Sequence, residues 1–316
     1  MTLTMVPKQE SLADVLPTER LTKSGMPIRE LRAKLRKIAS FSNIGSLALC
    51  WVQAILTIGA AIWINNLAVY LMAIVLMGAT FARFSILAHE AAHRLMFRNK
   101  KLNDFFGKWF LAYPAFIPFS LYRKTHFSHH RDELGPQEPD LSLYRNYPIS
   151  RASFKRKLER DGFGISGWKN LRVLIKAIFN KVARPVVLPI IATQLALILI
   201  FSLAGYPLAY FGLWLIPWMT SWRVLNRLRA IAEHGGMKQS SDRRETTHHV
   251  KQHLIARFFI VPFNAGWHLA HHTDMGVPWR NLPNLQKELE AAGWVTESIT
   301  WPSYFSLWKA LSSRTD

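Results

Sequence analysis

Eight of the twelve histidines in this chain fall in three short stretches, and imidazole binds transition metals without the ready oxidation of a thiolate. HEAAH carries His89 and His93, HFSHH carries His126, His129 and His130, and HLAHH carries His268, His271 and His272. On a helix, positions i and i+4, or i, i+3 and i+4, share one face, so each stretch would present its imidazoles in one direction. Rings grouped this way repel one another when protonated. A bound metal takes the neutral ring and removes that repulsion, so the spacing favours metal binding.

Ligand type alone leaves zinc, copper, iron and nickel open. Number is more informative. A catalytic zinc site uses about three protein ligands and keeps one position open, so eight histidines exceed one site and suit two metals. HEAAH alone fits a second chemistry, the HExxH pattern in which two histidines hold zinc and the glutamate, here Glu90, acts as general base. A membrane zinc protease of that kind leaves both HxxHH stretches without a role. Glu90 is otherwise a helix residue or a partner to a metal-bound imidazole. A metal transporter or sensor is a third reading. It would place ligands near the bilayer midplane, where this chain has neither histidine nor carboxylate.

The elements that must position these residues are apolar. Between Ile38 and Ala82 there is no charged residue or histidine in 45 positions, and between Pro185 and Trp222 none in 38. A helix crossing hydrocarbon needs ~20 apolar residues, so each block has room for two. Each block also has a break near its middle, Asn65-Asn66 in the first and Gly205-Tyr206-Pro207 in the second. The expected spans are about 44–64, 67–88, 186–204 and 208–225. The expected fold is an all-α integral membrane protein, with four transmembrane helices in two hairpins and a cytoplasmic helical cap carrying the histidines. By segment, 1–37 is a cytoplasmic N-terminal stretch, 38–289 the membrane domain, and 290–316 a cytoplasmic tail.

Charge sets the orientation. All 40 Lys and Arg lie outside the two blocks, which puts both termini and the long middle segment on the cytoplasmic side by the positive-inside rule. The net charge of +20 therefore faces anionic headgroups rather than a nucleic acid. The N-terminal MTLTMVPKQESLADV lacks a basic-then-apolar signal pattern. Cys50, the single cysteine, forms no intrachain disulfide, four-cysteine zinc site or iron–sulfur cluster, so electrons for any redox chemistry come from outside the chain.

Three further stretches have a surface character. Residues 28–38, IRELRAKLRKI, read either as an amphipathic helix on the membrane or as a helix packed on the protein itself. FFGKWFLAYPAFIPFSL, residues 105–121, is apolar but broken by Pro114 and Pro118, which suggests an interfacial or re-entrant segment. WKNLRVLIKAIFNKV, residues 168–182, is a second basic amphipathic stretch. His248, His249 and His253 lie in the polar run RETTHHVKQH and are expected at the surface.

HEAAH, HFSHH and HLAHH, in this order beside two apolar hairpins, resemble the membrane fatty acid desaturase and hydroxylase superfamily, over most of the chain from the first span to about Leu289. The three boxes together are specific, whereas any one alone is weak. The resemblance implies a non-haem di-iron centre held by His89, His93, His126, His129, His130, His268, His271 and His272. It adds His234, in RAIAEHGG, as a ninth ligand candidate. PFNAGWHLAHH followed by VPWRNLPNLQKEL is closer to acyl-chain desaturases than to carotenoid enzymes.

Both HxxHH boxes continue to an aspartate, Asp132 and Asp274, and Asn264 precedes the last box by four residues. Metal-bound imidazoles commonly donate their second N–H to a carboxylate, so these three are the expected partners, with a solvated loop charge as the plainer alternative. The resemblance implies two iron ions, O2 as co-substrate, and removal of hydrogen from an unactivated CH2 of a membrane lipid or long-chain acyl substrate. Loss of a second hydrogen gives a double bond, and oxygen rebound gives an alcohol. A desaturase is the leading reading, with a lipid or alkane hydroxylase or a carotenoid ketolase as rivals. With no HPGG-type cytochrome b5 segment present, the expected electron donor is a separate ferredoxin or cytochrome b5; the basic face would suit an acidic ferredoxin or serves only topology.

Overall fold

The computed structural model describes residues 4–315. It is almost wholly helical; among the described residues the one two-stranded sheet is a parallel pair of two-residue strands. In chain order the helices are α1 Arg29–Leu35, α2 Ser40–Ile64, α3 Leu67–Ala92, α4 Lys100–Phe106, α5 Phe119–Arg131, α6 Leu141–Tyr144, α7 Arg151–Gly162, α8 Ile165–Ile178 and α9 Arg184–Leu203. They continue with α10 Pro207–Tyr210, α11 Ile216–Met219, α12 Ser221–His234, α13 Arg243–Thr246, α14 Leu254–Phe259, α15 His268–Thr273, α16 Leu282–Ala291 and α17 Tyr304–Leu311. Two compact units share the chain. An apolar unit takes Ala39–Arg123 and Arg156–Asn226, and a polar unit takes Met1–Ile38, Lys124–Lys155 and Arg227–Asp316.

In the apolar unit, α2, α3 and α9 are long and apolar enough to cross a membrane. Their ends fall where the sequence breaks. Asn65 closes α2 in the left-handed conformation, φ 47°, and the Asn66 side chain caps α3 by accepting the Ala68 N–H at 2.9 Å. Gly205 takes φ 85° after α9, and Pro207 opens α10 at a first-turn position that needs no N–H. The outward residues are apolar too, with Trp63 87 % exposed and Leu203 79 %, as expected of a face that meets lipid rather than water.

The stretch expected as a fourth span differs from a continuous helix. α10 passes through a π-helical segment, Phe211–Leu215, into α11, and the chain then bends at Thr220 (φ −118°, ψ −90°) before α12. Pro217 supplies one cause, because it has no N–H to continue the ladder. The bend is held by Ser221, whose hydroxyl donates to the Ile74 carbonyl at 2.7 Å, against Gly78 of α3. A side chain at Gly78 would collide, since even a Cβ there would lie 2.5 Å from the Ser221 Oγ.

Residues 105–121 also fold irregularly. α4 runs into a π-helical segment, Gly107–Ala112, then turns at residues 113–116 before α5. In an apolar setting each carbonyl this exposes needs a partner. The Trp214 and Trp218 indoles donate to the Pro114 and Ala115 carbonyls at 3.2 and 3.0 Å, and the Gln194 amide donates to Tyr113 at 2.7 Å. Trp214 also packs in a cluster with Trp51, Phe81 and Phe84, at centroid distances of 5.8, 5.2 and 6.0 Å.

In the polar unit, α1 packs on the protein. Leu35 is buried, Arg32 and Arg36 both bind Asp274 after α15, and the Asn281 amide donates to the Leu35 carbonyl at 2.7 Å. Arg20 grips Glu288 of α16 through two contacts of 2.7 Å. Residues beyond 290 are part of this unit. Thr300–Trp301 pairs in parallel with His249–Val250, and α17 buries Leu307 and Leu311 behind a Ser303–Ser306 capping box.

Candidate metal centre

Helix geometry sorts the histidines of the polar unit. At 100° per residue, i and i+4 point about 40° apart, whereas i+3 and i+4 are about 100° apart. Each HxxHH stretch is helical, in α5 and α15, but each divides its rings between two groups instead of facing one way. His129, from α5, joins His268 and His272, from α15, and His234, the last residue of α12. All four are buried, and their candidate ligand nitrogens lie within 4.8 Å of one another. His126 and His130 join His271 in the second group, with Nε2–Nε2 distances of 3.0 Å for His126–His130 and 3.1 Å for His130–His271.

The first group resolves ring by ring. The Nε2 atoms converge: His129 to His272 at 3.3 Å, His234 to His268 at 3.0 Å, and His272 to His268 at 3.0 Å. The Nδ1 atoms turn outward to acceptors. His129 Nδ1 meets Glu138, and the Tyr144 hydroxyl lies 3.4 Å away. His234 Nδ1 lies 2.9 Å from the Thr246 carbonyl and 3.2 Å from Glu133 Oε1. His272 Nδ1 lies 3.0 Å from Glu133 Oε2 without the alignment of a hydrogen bond, and His268 Nδ1 lies 3.5 Å from Glu233. A neutral imidazole whose Nδ1–H is donated outward points its lone pair inward from Nε2. Nε2 atoms meeting at about 3 Å repel one another unless a cation lies between them. The donor set therefore fits a metal ion.

Electrostatics agree with that protonation for two of the four rings. His234 is the exception: burial lowers its pKa, but the hydrogen bond and charge of Glu133 and the charge of Glu233 outweigh it and hold the ring above the ordinary histidine value. Burial, then the charges of neighbouring imidazoles, hold His268 and His272 well below the ordinary histidine pKa. Burial would raise Glu133, but the His234 hydrogen bond and the charges of His234 and Arg243 outweigh it and keep the carboxylate ionised. Arg243 and the Thr247 hydroxyl, at 2.8 Å, satisfy its oxygens.

His89 and His93 belong to the apolar unit. They sit at the end of α3 and just after it, half-buried, with ring centroids 4.8 Å apart, and Glu90 between them is buried.

The expected carboxylate partners lie elsewhere. Asp132 accepts the Gln137 N–H at 2.8 Å and the Gln239 amide at 3.1 Å. Asp274 holds Arg32 and Arg36, and Asn264 binds the Trp279 carbonyl and Arg257. The reason is where α5 ends: Asp132 follows its last residue and turns away, so the next residue, Glu133, faces the rings. Glu233, beside His234 in AEHGG, was open to the same reading from sequence. Glu138, eight residues past His130, gave no such signal. His248 and His249 correct another expectation, for both are buried, through pairing of His249–Val250 with Thr300–Trp301 and donation from His248 to the Gly235 carbonyl at 2.8 Å. His253 is exposed, as expected.

Residues 28–297 match the family described as fatty acid desaturase. A relative from Bradyrhizobium elkanii, dihydrorhizobitoxine desaturase, is 27 % identical over 301 residues, covering 88 % of this chain and 84 % of its own. The histidine stretches that fold into converging rings lie inside the matched region, and the chain belongs to the fatty acid desaturase family.

Proposed function

We propose that this chain is a membrane-bound di-iron desaturase that converts an acyl-chain CH2–CH2 to a double bond with O2. The observation that carries the reading is the convergence of four buried Nε2 atoms whose Nδ1 atoms turn to carboxylates or a carbonyl. Under this reading His129, His234, His268 and His272 hold one iron. His126, His130 and His271 hold the other, and His89 and His93 are the further ligand candidates that the resemblance implies. Imidazole ligands and open positions suit iron that must bind a small oxidant. When bound, the metals supply O2 activation and hydrogen removal from a saturated carbon.

The protein's own groups do the rest. Glu133, Glu138 and Glu233 fix the tautomer and rotation of the rings. Apolar helices α2, α3 and α9 give the chain its membrane anchorage, and the charge distribution supports a cytoplasmic site and cytoplasmic termini. Electrons come from a separate ferredoxin or cytochrome.

The relative's name supports a second substrate, dihydrorhizobitoxine. One experiment separates the readings. The protein is expressed in a host lacking desaturases, and lipids and added dihydrorhizobitoxine are profiled for new double bonds, with His272→Ala as control. New O2-dependent unsaturation in acyl lipids, absent in the variant, supports the acyl reading. A hydroxylated product in place of a double bond would replace desaturation with the hydroxylase rival.

A further inference from the structure

Both histidine groups of the polar unit reach one cavity. A pocket of about 260 Å³ is lined by His130, from the trio, and His272, from the quartet. Four guanidinium groups also line it: Arg32 of α1, Arg36 just past its end, Arg131 at the end of α5, and Arg243 of α13. Arg32 and Arg36 share the single carboxylate of Asp274, and Arg243 binds Glu133. Arg131 is exposed and donates to the Ser128 hydroxyl at 3.4 Å. Counting Asp274 in the lining and the Glu133 carboxylate that Arg243 binds, four positive charges against two negative leave a net +2 around the mouth. Arg32 and Arg36 keep a third or more of their side chains open to solvent while bound to Asp274, 34 % and 40 %.

We propose that this arginine-ringed pocket is the docking surface for an acidic one-electron carrier protein, which delivers electrons to the centre past His130 and His272. The inference rests on the desaturase reading. In that reaction two C–H bonds break and a C=C forms. O2 accepts four electrons, two from the substrate and two from the carrier, takes up two further protons, and leaves as two waters. The chain's lone cysteine provides no redox group of its own, so the electrons must enter at a surface. This pocket is lined by one buried ring from each group in the polar unit beneath a mouth of net positive charge. A macromolecular carrier is favoured over a small anion because the positive charge is spread over four side chains on or next to three helices, beside Arg29, Lys34 and Lys37 on and next to α1, rather than converging on one point. Distributed charge of this kind speeds encounter and is sensitive to salt.

The test uses the iron-loaded full chain in detergent and an acidic [2Fe–2S] ferredoxin, pre-reduced, with its oxidation followed anaerobically by stopped flow across ionic strength. Arg131→Gln and Arg131→Glu are compared with Arg172→Glu on α8, and iron content and melting temperature report folding. The expected result is a graded loss, roughly tenfold in the second-order rate constant for Arg131→Glu at low salt, with a shallower salt slope and with Arg172→Glu like the parent. An unchanged rate and slope in Arg131→Glu would overturn the proposal. So would an equal loss in Arg172→Glu, or a loss confined to binding of coenzyme A, which would make the pocket a small-anion site. If the parent protein binds no iron, or dithionite leaves the spectrum of its iron unchanged, the desaturase reading fails instead, and the two failures are distinct.

Discussion

Glu133 stands between two candidate ligands from different helices, with Oε1 3.2 Å from His234 Nδ1 and Oε2 3.0 Å from His272 Nδ1. One carboxylate thus bonds the ring of α12 and lies beside a ring of α15, whose Nδ1 is close to it but not aligned for a hydrogen bond. Glu133→Gln, nearly the same shape, should weaken metal binding by roughly 10–100-fold, the usual cost of losing such a partner. Competition with a graded chelator series, with iron counted per chain, checks it. Affinity equal to the parent would remove Glu133 from the site.

Neighbouring acids should behave oppositely. Glu138→Gln loses the carboxylate that meets His129 Nδ1 and should lower metal affinity, whereas Asp132→Asn disturbs only a turn and its Gln239 contact. The expected outcome is metal content near the parent value for Asp132→Asn and a loss of about tenfold or more in affinity for Glu138→Gln. Equal effects from both would mean the rings are held by something else.

Much of this was legible in the sequence, and the reasons differ by residue. The three histidine stretches declared themselves by spacing alone, and the breaks at Asn65-Asn66 and Gly205-Pro207 by turn chemistry. The division of each HxxHH between two groups follows from 100° per residue but depends on what faces the helix, which spacing does not carry. Glu133 lost to Asp132 because α5 ends at Arg131, and a one-residue shift in a helix end reverses which acid faces inward. The uncharged block at 185–222 looked able to hold two plain helices. Composition does not register the π-helical segment at Phe211–Leu215 or the bend at Thr220. His248 and His249 sit in a polar run and were buried by a strand pairing with residues 51 positions away.

That pairing has a pH consequence. Burial pushes the His249 imidazole down to about 4. A depressed histidine pKa means the unfolded chain binds the proton more readily. The stability from the neutral ring is therefore present above about 6.5 and lost as pH falls from there toward about 4. Metal-loaded protein should lose melting temperature across that window, and His249→Gln should flatten the slope. A variant with the same slope as the parent would contradict the assignment.

Asp274 anchors α1 through Arg32 and Arg36. Asp274→Ala should destabilise the polar unit by about 1–3 kcal/mol, a charged hydrogen-bond value kept low because both arginines are partly exposed. Faster proteolysis between Arg29 and Lys37, at unchanged cleavage elsewhere, would report the release of α1. Unchanged cleavage there would show that Leu35 and Asn281 hold the helix without the ion pairs.

The most direct measurement is iron and zinc per chain, by elemental mass spectrometry on protein purified in detergent without chelator. A di-iron centre gives two irons per chain and their loss in a His129→Ala His271→Ala variant, which takes one ring from each group of the polar unit. One zinc with negligible iron, kept in that variant and lost with His89→Ala, would contradict it and favour a hydrolytic site at HEAAH.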